Sequence, residues 1–492
     1  MRLMFSRWAR LAAGAMAAID RFHLLVREEK TALTIILSAG VLIRFVLCLG
    51  SRGILWPDSF LYYRQAANIL KHHNLDAHYF AHTPLYPLFL AAFLFFGQTP
   101  RIGACIIVAQ RVLGLLTTIF IYKTARRVVS PTAAFYAGIL FTLHALQLYY
   151  ETVVQTEVLF VFMVSATVYR FVVALEKPVW TNYVLLGVAC AATALTRSVG
   201  QCFVILILGL LWWRLGTFRG ILSSGVLIAG IYLVLVFPWM QVNHRVYGFW
   251  GLSKGVGANL FLRAIDIDHL IPPEKTDYPE VRKDYLRHDP RGHMYLKVFL
   301  ELKKGPPRRS SPAADDQMFG FDEETVLAHP VAYVLGTFRQ FYKTLAEPRE
   351  SIHVCPSASG PFLGSGKSDP RTTPAFPSPQ PDGHRAVRRA IGWYFRHVHV
   401  PMKPVLVFCL AGIVGCFAKR DRRFFPGVAV VVAILYFVGV TSLLNYHEDR
   451  FRLPVDGLIM AFAMGGVHGL WRWRPRPACG ESEICARSSH FS

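Results

Sequence analysis

Apolar runs recur along the chain near residues 31–49, 102–122, 132–149, 157–175, 182–197, 199–215, 220–239, 403–418, 425–444 and 454–471. In hydrocarbon a run of that length has one stable form, a helix that satisfies every backbone N–H and C=O within itself. The composition agrees: 53% hydrophobic and 17% charged residues leave too little polar surface to wrap a soluble core of 492 residues. The expected fold is therefore all-α, a polytopic transmembrane helical bundle of about 10 spans.

A net charge of +22 would suit a nucleic-acid binder, but the basic residues gather in short loops between the apolar runs. The segments "YKTARRV", "ALEKP", "WWRLGTFRG", "FAKRDRR" and "RWRPRP" all fall on one side if the spans alternate, which is the positive-inside pattern. No nucleic-acid partner is expected. The N-terminal "MRLMFSRWARLAAGAMAAIDRF" reads as a cytoplasmic amphipathic lead rather than a cleaved signal peptide. The organisation that follows is a basic lead at 1–30, a transmembrane module at 31–240, an outer-face region at 241–402, C-terminal spans at 403–471 and a cytoplasmic tail at 472–492. The run "TPLYPLFLAAFLFFG", 83–97, is short and carries Pro84 and Pro87, so it is expected to lie at the outer interface or re-enter. With 57–70 it gives the first outer loop two interfacial helices. Phe60, Tyr63 and Ala67 would form the lipid-resting face of the first. In the outer region, 324–346 reads as one amphipathic helix and 351–385 as a Pro/Ser/Gly-rich linker.

Several motifs carry little chemistry. "GPFLGSGKS" has Pro361 where a phosphate-binding loop needs glycine, and no strand precedes it. Asp266 and Asp268 have the D-x-D spacing of some metal-dependent sugar transferases, but a solvated loop is the favoured reading. His72, His73, His78 and His82 crowd the first outer loop and read as a polar interfacial surface. The nine cysteines include no CxxC pair and are read as packing residues. No metal site is expected.

The acids at membrane level differ in kind. Asp58 lies just past the first span, and "YYETVVQTEVLF" brings Glu151 and Glu157 to the outer junction of two later spans. A carboxylate at that depth lines water or pairs with a cation. Cations on the same side are Arg197 in "ALTRSVGQ" and Arg450 and Arg452 in "NYHEDRFRLPVDGL", a loop that also offers His447 and Glu448. Arginine forks suit phosphate oxygens, so an anionic, membrane-embedded ligand is expected. Arg44 alone is read as lying within a span. A transporter or flippase, the alternative class, would place more ionisable residues at mid-span.

The segments "PDSFLYYRQAANIL", "HTPLYPLFLAAFLFFG", "QRVLGLLTTIFIYKTARRV", "QTEVLFVF", "GVACAATALTRSVG" and "HEDRFRLPVDGLIM" occur in the order of the C-type (GT-C) polytopic glycosyltransferases. The chain resembles the branch of bacterial dolichyl-phosphate-mannose-protein-mannosyltransferase-like enzymes that includes the aminoarabinose transferases. The resemblance implies transfer of a sugar from a polyprenyl-phosphate donor to a lipid, glycan or protein acceptor on the outer face, with membrane lipids as surroundings. It implies a bacterial inner membrane with a periplasmic site, or the endoplasmic reticulum in a eukaryote. Asp58 and Glu157 match the family's first- and second-loop acids. Arg197, Arg450 and Arg452 match its donor-phosphate cations, while Glu151, His447, Glu448 and Tyr62 remain possible substrate contacts. No cofactor is required, and a divalent metal is optional. Ser59 stands where the protein mannosyltransferases keep glutamate, which argues against a protein acceptor.

Overall fold

The structure is a computed structural model that describes residues 18–50, 57–76, 79–97, 99–216, 218–286, 312–347, 385–398, 400–418, 421–445 and 447–472. The glycine-rich "GPFLGSGKS", the 351–384 linker, His78, the tail beyond 472 and most of the N-terminal lead lie outside them. Among the described residues the elements are helices, without a strand.

In chain order they are α1 (Glu29–Gly50), α2 (Pro57–His72), α3 (Leu85–Leu94), α4 (Pro100–Val128), α5 (Pro131–Thr142), α6 (Ala145–Tyr150), α7 (Glu157–Glu176), α8 (Trp180–Thr196) and α9 (Phe203–Leu215). There follow α10 (Phe218–Tyr247), α11 (Val256–Phe261), a π-helical turn at Leu262–Ile267, α12 (Pro279–Leu286), α13 (Pro312–Ala328), α14 (Pro330–Ala346) and α15 (Arg385–His397). The last three are α16 (Met402–Phe417), α17 (Phe424–Leu444) and α18 (Asp449–Arg472).

The starts follow local sequence rules. Thr99 and Ser130 cap α4 and α5 by accepting from the N–H groups of Ile102 and Ala133, and Pro100 and Pro131 fill the first helical positions. Seven helices among the described residues are long and apolar enough to cross a membrane: 29–49, 101–128, 157–176, 198–215, 222–247, 424–444 and 449–471. Three other expected spans fall on shorter apolar helices, α5, α8 and α16. The 132–149 run divides after Thr142: the Arg44 guanidinium donates to the Thr142 carbonyl, and His144 leaves the apolar row to meet Asp456 at 2.9 Å. Likewise 324–346 is two helices, α13 and α14, because Pro330 lacks the N–H that would continue the first. The 83–97 run yields only ten residues of helix, α3, too short to span.

One core joins α7, α8, α9, α16, α17 and α18 around Phe160, Phe171, Phe203, Phe437 and Phe462. The tightest crossing is α16 on α18. A Cβ at Gly412 would sit 1.9 Å from the Phe462 carbonyl oxygen, and one at Gly466 would sit 2.1 Å from that of Phe408. Small residues thus set the approach, as expected where helices associate by packing rather than by escape from water.

Ionisable groups inside the bundle are more numerous than Arg44. Arg111 in α4 and Asp456 in α18 are also buried within long helices, which corrects the sequence reading. They are partnered: Arg44 meets Glu151 at 2.5 Å, Asp456 meets Arg452 at 2.6 Å as well as His144, and Arg111 donates to the Cys48 sulfur. Paired charges of this kind are bundle architecture rather than a permeation path.

Candidate active site

The site is assembled at the bundle end where α1, α7, α8 and α18 open toward the first outer loop. Asp58 occupies the first turn of α2, where the helix N-terminus favours a carboxylate. Tyr63 does not share an outward face with Phe60 and Ala67. Instead Ser59, Tyr63 and Ala66 are buried, and Tyr63 and Ala66 pack with Tyr86, Leu90 and Leu94 of α3, while Phe60 faces outward. Positions 59, 63 and 66, at i, i+4 and i+7, therefore form the face turned to protein, and this fixes the direction of Asp58.

Glu157 begins α7, after a turn in which the Gln110 amide donates to the carbonyls of Glu151 and Val153, at 3.2 and 2.8 Å. Gln110 in turn accepts from the Tyr86 hydroxyl at 2.8 Å, so α3, α4 and the Glu157 turn are one hydrogen-bonded unit. Arg197 caps the end of α8 in extended conformation. The turn after it is held where Tyr436 donates to the Val199 carbonyl at 2.6 Å. Glu448 and Arg450 flank the start of α18.

These side chains converge on Glu157. Arg197 Nη1 donates to Glu157 Oε1 at 3.0 Å, Arg450 Nη1 approaches the same oxygen at 3.9 Å, and Arg450 Nε pairs with Glu448. The guanidinium of Arg197 also lies 5.6 Å from the Phe160 ring. Glu157 is buried, whereas Arg197 and Arg450 retain 26% and 20% side-chain exposure, enough for a ligand to reach them. Asp58 is exposed on its outer side, yet protein crowds its carboxyl. Burial raises its pKa above the ordinary carboxylate value, a rise that Glu157 and Glu448 reinforce and that Arg450 and Arg197 oppose. Tyr62, hydrogen-bonded to Thr156, is pushed upward by the same burial and stacks on His82 with ring centroids 4.2 Å apart.

Asp58, Glu157, Arg197, Glu448, Arg450 and Tyr62 are thus brought together. Three expected participants are not. Glu151 is fully buried, held by Arg44 and by the Gln147 amide at 3.2 Å. Arg452 points into the bundle, 4% exposed, where it pairs with Asp456 and donates to the Thr344 carbonyl at 2.9 Å. His447 is buried, its backbone N–H given to the Gln340 side chain at 3.1 Å. The reason is helical register: residues 450 and 452 are about 200° apart around α18, so only one can face the site. Tyr150, to which the sequence analysis assigns no role, borders the cluster, with Glu157, Arg450 and Glu448 in its field. Asp268 is not solvated: it pairs with Arg263, which also reaches the Ser442 carbonyl. His82 is engaged by Tyr62 and by Gln65 at 2.9 Å, and among the described residues no group of three His, Cys, Asp or Glu could hold a metal ion.

Residues 81–241 match the dolichyl-phosphate-mannose-protein mannosyltransferase family. The matched segment runs from the turn before α3 into α10. It contains Glu157 and Arg197, together with the Gln110 scaffold that positions the Glu157 turn. No curated protein matches the chain. Among solved structures, the chain is similar to the Archaeoglobus fulgidus oligosaccharyltransferase in the apo form (12% identity, 90% of this chain and 51% of that one, TM-score 0.49). It is also similar to ArnT from Cupriavidus metallidurans bound to undecaprenyl phosphate (13% identity, 90% and 79%, TM-score 0.38). The chain spans about half the length of that oligosaccharyltransferase.

Proposed function

We propose that this protein transfers a sugar from a polyprenyl-phosphate donor to an acceptor at the outer membrane face, in a bacterial inner membrane with the site toward the periplasm. The observation that carries the reading is the convergence of Arg197 and Arg450 on Glu157 beside Asp58, supplied by four separate stretches of chain.

A phosphate-linked sugar brings its own leaving group, so the protein must supply a base, fixed positive charge and positioning. Asp58 is the base: burial raises its proton affinity, and it takes the proton of an acceptor hydroxyl or amine as that atom attacks the anomeric carbon. Arg197 and Arg450 face the departing phosphate, where negative charge grows. Glu157 holds both guanidiniums in place before the donor arrives, an orientation role that lowers the reorganisation needed at reaction. Ser59 is buried and offers no second carboxylate, which favours a lipid or glycan acceptor over a protein. No metal step is needed in this scheme.

The test is transfer from a panel of radiolabelled polyprenyl-phosphate sugars by the protein in lipid nanodiscs, with membrane extract as acceptor, comparing wild type with Asp58→Asn. Removing a general base is expected to reduce transfer about 10²-fold or more. Equal transfer by both would remove Asp58 from the chemical step.

A further inference from the structure

The cluster around Glu157 takes Glu448 and Arg450 from the start of α18, and the chain reaches them from α17 through a short turn. A helix ends in carbonyls that lack partners in its own ladder, so the end of α17 and the turn after it need bonds from elsewhere. They are met by side chains of the outer region. Arg263 of the π-helical turn donates from Nε to the Ser442 carbonyl at 3.4 Å, and the Tyr333 hydroxyl of α14 donates to the Leu443 carbonyl. The Gln340 amide oxygen of α14 accepts the His447 N–H at 3.1 Å.

These contacts come from a well-supported helix. Tyr333, Gly336, Gln340 and Thr344 are buried on α14 at i, i+3, i+7 and i+11, one stripe of its surface. Gly336 leaves the space that the Asp268 carboxylate fills, and Asp268 pairs with Arg263. Phe341 and Leu345 pack against the main core. Of the three contacts, that of Gln340 lies nearest the site along the chain, because His447 adjoins Glu448 and stands three residues before Arg450. Gln340 and His447 are both buried, so water does not replace either partner when the other is lost.

We propose that Gln340 is a positioning residue for the phosphate site: by holding the His447 peptide it sets where Arg450 stands beside Glu157, and so how tightly a polyprenyl phosphate is bound. The inference rests on the reading of Arg197 and Arg450 as phosphate ligands. Gln340 acts through the backbone of the turn, and Arg450 makes the contact.

The probe is undecaprenyl phosphate, with the whole protein in phosphatidylcholine nanodiscs, read by its Kd and by hydrogen exchange of the 447–451 amides. Gln340→Leu is expected to weaken binding several-fold and to speed exchange, because apparent affinity falls with the fraction of molecules whose turn stands in the binding arrangement. Gln340→Glu keeps an acceptor oxygen at the same reach and should restore both. Thr325→Val removes a buried hydroxyl that bonds within its own helix, to the Phe321 carbonyl, and should change neither. Wild-type affinity in Gln340→Leu overturns the proposal, as does an equal loss in Gln340→Glu or in Thr325→Val. Should Gln340→Leu fail to reconstitute, Gln340→Asn withdraws the oxygen by one methylene, and unchanged binding by that variant also overturns it. A wild type that does not bind undecaprenyl phosphate overturns the proposal outright. One that binds it but transfers no sugar counts against the transferase reading alone, and the variants still decide the role of Gln340.

Discussion

At the scale of single residues, the candidate site divides charges by what they touch. Asp58 has a raised pKa, so its ionised form is less comfortable in the folded protein than in the unfolded chain. That penalty is absent below both pKa values and complete above the folded one. Asp58→Asn is therefore expected to raise the melting temperature slightly at neutral pH while lowering transfer about 10²-fold or more, with the gain vanishing on acidification toward the ordinary aspartate range. Thermal melts at the two pH values check the sign. In wild type, transfer should fall as pH drops through a pKa above the ordinary aspartate value, since the base must be ionised. The two arginines of α18 separate in the same way. Arg450→Gln should raise the donor KM with little change in melting temperature. Arg452→Gln leaves the buried Asp456 carboxylate with His144 but without its guanidinium and should destabilise by about 3 kcal/mol, the scale for breaking a buried pair, with donor KM unchanged in the surviving protein. A shift of donor KM by Arg452→Gln would return that residue to the phosphate.

At the scale of elements, glycines decide which helices touch. Gly114 of α4 leaves the space that the Arg44–Glu151 pair occupies, since a Cβ there would stand 1.8 Å from Glu151 Oε1. Gly114→Ala is expected to displace the pair and lower stability by about 1–3 kcal/mol, measured by denaturant or thermal titration in detergent. At the α16–α18 crossing the obstructing atoms are backbone carbonyls, which cannot rotate aside as a side chain does. Gly466→Val should therefore separate these two helices and be worse tolerated than the same change at Gly469, where nothing lies within 4 Å of the added atom. Proteolytic susceptibility of the 402–472 segment would register the difference.

At the scale of the whole molecule, the basic loops and the site fall at opposite ends of the bundle. In a background without native cysteines, Lys254→Cys is expected to react with a membrane-impermeant maleimide from outside the cell, and Arg422→Cys only after permeabilisation. Lys254 lies on the site side, its N–H donated to the Phe80 carbonyl at 2.9 Å, and Arg422 is exposed in the turn between α16 and α17. Labelling of both from outside would overturn the orientation.

The sequence by itself determined the all-α membrane bundle, because runs of apolar residues have one backbone solution in lipid. It also determined which short stretches bring charge to the ends of the spans, since Asp58, Glu157, Arg197 and Arg450 stand out against apolar neighbours. Only tertiary structure decided which of those charges share a site. Glu151 and Glu157 look alike in "ETVVQTE", as do Arg450 and Arg452 in "RFR". Glu151 meets Arg44 from 107 positions away, and Arg452 meets the carbonyl of Thr344, 108 positions away. The lipid-facing or protein-facing side of α2 was likewise undecidable from its own pattern, because an apolar stripe states that something covers it and not what. Those contacts depend on how helices cross, and crossings are fixed by distant small residues such as Gly114, Gly412 and Gly466, whose meaning appears only when the opposing backbone is in place.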